Sequence, residues 1–395
     1  VTDLGTRTAG RPGALRRAAP ALVGYAAVRA LGLLTLALWS AARDKSAYTL
    51  LTARWDSLWY TRVAELGYGY EVRLPNGDVH SDLAFFPLLP WLERIGAAVT
   101  PLSYADAGFL VAVLASLAAA WGVFAVAEHV YGRRAGVCAV LLWAVLPVGI
   151  VQSMAYSESL FTALAAWSLY AVLTGRWVTA GALAALAGLT RPVGLAVAAA
   201  VWAAAVVAFV RSRCTVGPDG ARGPERAPGD GARRALGMLL APLGAAGYVL
   251  WVGHRTGNGP LGYLDVQAGW RNGFDGGVAF ARFVAAKFTS FPSALAGVGL
   301  IAGVALLVWL YVVCVRQRQP LALLVYAGTV TVLSLCASSY FGSKPRLLMP
   351  AFPLLLPLAV ALARPRASRS ALVVGGVAVA SAVYGAFWLN GSGPP

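Results

Sequence analysis

The sequence predicts an all-α polytopic membrane protein with about eleven transmembrane helices. Three observations carry this reading. Of the 395 residues, 59% are hydrophobic and only 12% charged, with a mean hydropathy of +0.68. A soluble domain is roughly 45–50% apolar and about 25% charged. Apolar windows of about the 20 residues that cross a hydrocarbon core recur along the chain. The alternating segments of an outer-membrane barrel are not visible.

Residues 1–19 are polar and basic, with Arg7, Arg11, Arg16 and Arg17. The apolar run after them, 20–42, is too long for the apolar core of a secretory signal and is read as a retained first span. Further spans are expected at 105–127, 136–153, 157–174, 177–190, 193–210, 235–253, 293–315, 320–337, 346–363 and 370–389. The pair 177–190 and 193–210 also fits a short hairpin that does not fully cross. The whole chain, 1–395, reads as a single integral membrane domain.

Lys and Arg in the short connections set the expected orientation. With the N-terminus in the cytoplasm, the inner segments carry eighteen arginines against five acids, while the outer segments are nearly balanced. The net charge of +16 is therefore a topology signal and a contact for anionic lipid, not a nucleic-acid patch. Two outer segments are long, 43–104 and 254–292. The inner loop 211–234, "RSRCTVGPDGARGPERAPGDGARR", is rich in Pro, Gly and Arg and reads as a flexible linker. The Ala, Gly and Arg bias suggests a bacterium of high GC content, hence a multi-pass protein of the bacterial plasma membrane.

The first outer segment begins with "TARWDSLWYTRVAELGY", 52–68. Trp55, Leu58, Trp59, Val63 and Leu66 recur at helical spacing, which predicts one apolar stripe on a helix lying in the interface. Arg54, Asp56 and Tyr60 would project from its start, and "GYGY", 67–70, would end it. "LPNGDVH", 74–80, is a hydrophilic excursion. "SDLAFFPLLPWL", 81–92, is an interrupted aromatic helix returning to the interface. By residue type alone, Asp56 is equally a helix cap or a partner of Arg54 or Arg62, and the tryptophans are equally an aromatic belt.

"RWDSLWYTRVAELGY" followed by "AFFPLLP" resembles the signature of the PIG-V-like mannosyltransferases, within the GT-C superfamily of polytopic glycosyltransferases. "YSESLFTALAAWSLY", 156–170, "GLTRPVGL", 188–195, and "KPRLLMPAFPLLLPLA", 344–359, resemble later family segments in the same order. The acidic and His residues expected before "AFFPLLP" stand here as His80 and Asp82, one residue displaced.

The resemblance implies a GT-C-like fold and inverting transfer of a mannosyl residue from a polyprenyl-phosphate-mannose donor. The acceptor would be a glycan, lipid or protein at the outer face. Asp56 is then the candidate general base. The leaving phosphate calls for cations, and an arginine fork suits phosphate oxygens. The candidates are Arg54, Arg191, Lys344 and Arg346, with Arg346 first; a plain flanking cation is its alternative. Glu158, at the rim of a span, would orient the acceptor, pair with Arg191, or stand in water. Trp55, Tyr60, His80, Asp82, Gln267 and Trp270 are candidate substrate contacts. Arg29, inside the first span, would snorkel or pair with an acid, with no specific role assigned.

No cofactor is expected beyond the lipid-linked donor. "GRRAGV" and "GNGPLG" lack the GK[ST] end of a phosphate loop, so direct use of a nucleotide sugar is not supported. No DxD cluster suggests a metal. Cys138, Cys214, Cys314 and Cys336 show no CxxC or Cys/His metal spacing. Two other readings stay open: a GT-C enzyme for another lipid-linked sugar such as arabinofuranose, and a transporter or flippase, which would favour internal repeats.

Overall fold

The computed structural model describes residues 13–214, 229–338 and 340–393. Arg7, Arg11 and the central part of the expected linker, 215–228, lie outside the described residues. The chain opens with α1 (Ala14–Ala41), then a first cap of α2 (Ala47–Thr52), α3 (Asp56–Leu66), β1 (Glu71–Arg73), β2 (Val79–Ser81) and α4 (Leu88–Val99). Next come α5 (Tyr104–Tyr131), α6 (Arg133–Ala144), α7 (Ser157–Leu173), α8 (Trp177–Gly188) and α9 (Leu195–Cys214). α10 (Asp230–Leu240) and α11 (Leu243–Thr256) lead to a second cap with α12 (Gly262–Gly269) and α13 (Val278–Ala286). Then follow α14 (Ser293–Arg316), α15 (Leu321–Cys336), α16 (Lys344–Leu348), α17 (Leu356–Ala363) and α18 (Ala367–Leu389).

The all-α polytopic membrane architecture is as expected, but the spans are fewer and less regular. Among the described residues, six stretches are long and apolar enough to cross: Ala14–Ala41, Tyr104–Tyr131, Pro192–Arg211, Asp230–Thr256, Ser293–Arg316 and Ala367–Leu389. A bent pair, Phe341–Leu348 with Phe352–Ala363, makes a seventh if counted as one. Ser157–Leu173, Trp177–Gly188 and Leu321–Cys336 are shorter apolar helices.

Two expected spans are broken, and each break has a local cause. The window 136–153 is not one helix: α6 stops at Ala144, ahead of Pro147, and the chain continues as a 3-10 turn at Gly149–Ser153. Proline lacks the N–H that would extend the ladder and disfavours helical geometry before it. The freed carbonyls are met by side chains. The buried Arg29 guanidinium donates to the carbonyls of Ala144 and Gly149, and Gln152 donates to Trp143 O at 2.8 Å. The window 346–363 bends by 73° in a segment holding Pro350 and Pro353. There Trp143 Nε1 donates to Met349 O at 3.1 Å and Tyr326 Oη to Pro350 O at 3.0 Å. Irregular backbone at membrane depth persists only where protein supplies such partners.

The bundle is packed through small residues. A Cβ on Gly181 would collide with the backbone of Gly237, and one on Gly244 with that of Ala185. α8 thus meets α10 and α11 almost backbone to backbone, as small residues permit between membrane helices. Near α1 and α6 the core holds Trp143 stacked on Tyr25, ring centroids 5.6 Å apart.

The two ends of the bundle differ. Arg17 pairs with Glu128 at 3.6 Å, Arg133 bonds Arg17 O, and Arg134 bonds Pro365 O, so the starts of α1 and α6, the end of α5 and the α17–α18 turn share one basic end. Both caps sit at the other end. The helix expected at the start of the first cap exists, and Gly67 at φ 78 stops it, a conformation that glycine adopts without strain. Its apolar stripe is not one face, however. Ser57, Tyr60, Val63 and Ala64 turn inward, whereas Leu58 and Leu66 are exposed. The excursion 74–80 is flanked by a two-stranded hairpin with Val72 opposite His80, which the all-α reading did not include.

Candidate active site

Asp56 is the first residue of α3 and is held there by an unusual turn. Trp55 has φ 55 and ψ −124, a left-handed conformation rare for a bulky side chain. The buried Ser57 hydroxyl brackets the turn, accepting from Arg54 N at 2.9 Å and donating to Arg54 O at 2.7 Å. The Asp56 side chain, 28% exposed, extends one carboxylate oxygen, Oδ2, to Arg346 NH1 at 2.7 Å. Its other oxygen has no bonded partner among the described residues.

Arg346 comes from α16, a single turn just before the bend, and its side chain is only 9% exposed. Its Nε lies 3.3 Å from Glu158 Oε1, and its guanidinium sits 5.1 Å from the centre of the Tyr156 ring. Glu158 is in the first turn of α7, where the helix dipole favours a negative charge, and is 1% exposed. The same oxygen forms an ion pair with Arg191 NH1 at 3.0 Å. Arg191 precedes Pro192 and is extended, φ −172 and ψ 160, as a residue before proline prefers. Four elements thus deliver one chain of charges, Asp56–Arg346–Glu158–Arg191, with two acids and two arginines. Tyr60 closes it from α3, its hydroxyl 2.8 Å from Ser157 Oγ, and burial pushes the Tyr60 phenol above its ordinary pKa.

Beside this chain lies an aromatic cluster that ties the two caps together. Trp59 stacks on Phe85 at 5.5 Å, and Trp270 meets the edges of Trp59 at 4.9 Å and Phe85 at 5.5 Å. His80 stacks flat on Trp270 at 4.0 Å, and Trp270 Nε1 donates to Ser81 O at 3.0 Å. Tyr60 meets Phe85 edge-on at 5.2 Å, which joins the cluster to the charges.

Other sequence candidates lie apart from the charge chain. Arg54 turns away from Asp56: it donates to the carbonyls of Leu389 at 3.1 Å and Gly391 at 2.9 Å, capping α18, and covers the Trp55 ring at 3.9 Å. Lys344 is buried and donates to the carbonyls of Ser334, Leu335 and Ala337 at the end of α15. Both cations sit on the negative end of a helix, where such contacts are favourable. The buried Asp82 carboxylate accepts from Gly69 N and Tyr70 N at 2.9–3.2 Å and so pins the hairpin. Burial raises its pKa against the pull of those N–H groups. Gln267 is bonded to Tyr263 Oη at 2.6 Å and to Asn272 at 3.0 Å.

Sequence reasoning missed Phe85, Tyr156 and Ser157 as parts of the site. It also gave Arg29 no role, although a lone charge inside a span demands polar partners. Among the described residues no three His, Cys, Asp or Glu side chains gather as a metal site.

This bundle, with caps at one end and a bent late helix, resembles ArnT from Cupriavidus metallidurans solved with undecaprenyl phosphate. The TM-score is 0.53 at 16% identity, over 91% of this chain and 63% of that one. The chain shares the all-α polytopic membrane fold of that structure. The archaeal oligosaccharyltransferase AglB from Archaeoglobus fulgidus, solved with an inhibitory peptide and a dolichol-phosphate, matches over 94% of this chain and 56% of that one. Its TM-score is 0.46 and its identity 13%. This chain spans less than two thirds of the length of either structure. Residues 82–217 match the family model of the dolichyl-phosphate-mannose-protein mannosyltransferases. No curated protein matches the sequence.

Proposed function

We propose that this protein is a membrane glycosyltransferase that transfers a sugar, in our reading mannose, from a polyprenyl-phosphate donor to an acceptor at the outer face. The observation that carries the reading is the contact of Asp56 with Arg346, at the junction of the cap and the bundle. A carboxylate open on one side, fixed on the other by a guanidinium that also faces apolar and aromatic groups, suits a reaction that removes a proton while releasing a phosphate. Similarity to the family model over residues 82–217 supports the lipid-linked donor class. The motif around Asp56 favours mannose and a PIG-V-like relationship.

In this reading the acceptor hydroxyl attacks the anomeric carbon from the face opposite the lipid phosphate. The new C–O bond forms as the bond to the phosphate oxygen breaks, with inversion. Asp56 takes the hydroxyl proton. Arg346 and Arg191 stabilise the charge that accumulates on the departing lipid phosphate. Glu158 is a positioning residue, since it holds both guanidinium groups through one oxygen. The basic end of the bundle faces the cytoplasm and the caps face outward, in accord with the excess of Arg at the first.

The test is turnover of radiolabelled polyprenyl-phosphate-mannose by purified protein, wild type against Asp56→Asn, with arabinose donors in parallel and membrane lipid extracts as acceptor source. Mannosyl transfer that collapses in a folded, donor-binding Asp56→Asn supports the proposal. Turnover of the arabinose donor alone changes the sugar but keeps the chemistry. Turnover of no donor by wild type favours the transport reading.

A further inference from the structure

A cavity lies at the basic end of the bundle, far from the charge chain. It holds about 330 Å³ and is open to one side between α6, α17 and α18. Its walls include Val137, Leu141, Leu362 and Val374, and its mouth carries Arg133 and Arg134. Among the described residues no carboxylate lines it. The nearby acid Glu128 is engaged with Arg17.

The two arginines are fixed but not used up. Arg133 spends Nε on Arg17 O at 3.3 Å, and Arg134 spends one terminal nitrogen on Pro365 O at 2.8 Å. A guanidinium has five N–H donors, so each exposed head keeps donors for a ligand. Arg364, Arg366 and Arg369 add positive charge in and beside the neighbouring turn. An apolar slot of about 330 Å³ beside a pair of arginines complements one kind of molecule: an acyl chain topped by a phosphate. Basic pockets between membrane helices recognise anionic headgroups by the same electrostatics.

We infer that this groove is a binding site for an anionic phospholipid, whose phosphate pairs with Arg133 and Arg134 while one acyl chain lies along Val137, Leu141, Leu362 and Val374. The leaflet, cytoplasmic, rests on the orientation proposed above; the site itself does not.

Purified protein is incubated with phosphatidylglycerol or phosphatidylcholine of identical chains, and retained lipid is measured by native mass spectrometry. Wild type retains one phosphatidylglycerol in preference to phosphatidylcholine. Arg133→Gln with Arg134→Gln loses that preference by roughly 10- to 30-fold, the effect of two phosphate-level cations. Arg133→Lys with Arg134→Lys keeps most of it, which separates lost charge from lost backbone contacts. Val137→Trp fills the slot and lowers retention with both arginines in place. Equal retention of the two lipids by wild type, unchanged preference in the glutamine variant, or unchanged retention in the tryptophan variant overturns the site. Labelling of Ser368→Cys by an impermeant maleimide reads orientation separately. Labelling from outside intact cells moves the lipid to the other leaflet without removing it.

Discussion

Arg346 and Asp56 stand 290 residues apart in the chain and 2.7 Å apart in space. Arg346 is nearly buried and also faces Glu158, so it holds one carboxylate from the first cap and one from the bundle helix α7. Removing it leaves Asp56 without its cation and Glu158 with Arg191 alone. Arg346→Ala should lower stability by about 3–5 kcal/mol, as when one partner of a buried pair is lost. Arg346→Lys keeps the charge but not the fork, and should keep most stability while losing turnover. Thermal unfolding in detergent beside donor turnover distinguishes the two. A fully active Arg346→Lys would remove the fork from the mechanism.

Asp56→Asn keeps shape and loses the proton acceptor. Turnover should drop about 10²–10⁴-fold, the span of general base catalysis, with donor affinity little changed. Single-turnover rates at saturating donor give the comparison. A drop below tenfold would assign the proton to another group.

Glu158 shares one oxygen between Arg191 and Arg346. Glu158→Gln and Arg191→Met should therefore be non-additive, with a coupling of roughly 0.5–3 kcal/mol in a double-mutant cycle of unfolding free energies. Additive losses would mean that the two side chains do not support each other.

Arg54 caps the end of α18 instead of joining the charge chain. Arg54→Ala should cost on the order of 1 kcal/mol of stability and leave the donor KM within about threefold. A tenfold rise in KM with unchanged melting would place Arg54 at the donor after all.

Glu93 on α4 is fully buried, and neither of its oxygens has a hydrogen-bond partner among the described residues. Burial alone pushes its pKa well above the ordinary carboxylate range. The folded state therefore binds a proton that the unfolded state releases near pH 4, so its contribution to stability is present below that pH and is lost as pH rises toward the folded pKa. Glu93→Gln should flatten the decline of the melting temperature as pH rises above about 4. Parallel wild-type and variant curves over that range would show Glu93 to be ionised in the fold.

Much of the architecture was legible because membrane constraints act locally. A run such as 105–127 must be a helix in hydrocarbon, and Gly67 had to end α3. The breaks were less legible. Pro147 and Pro350 are visible in the sequence, but a proline in a span either kinks the helix or ends it. The outcome turned on Arg29, Gln152, Trp143 and Tyr326, which arrive from elsewhere to satisfy the freed carbonyls.

The site divides in the same way. Residue type and motif singled out Asp56, Glu158, Arg191 and Arg346, because charges beside apolar runs are costly and need a reason. Their spacing said nothing about pairing. Glu158 had three readings open, and its place between two arginines follows only once α7, the turn at Arg191 and the bent segment meet. Arg54 and Lys344 looked equivalent to Arg346 in sequence, yet each ends on the carbonyls of a helix terminus. By itself the sequence determined the solvent, the helical class, the basic end and the shortlist of charges, since these depend on composition and local pattern. Only the tertiary structure decided which cation meets which acceptor, because that choice is made by distant backbone ends and carboxylates competing for the same guanidinium and ammonium groups.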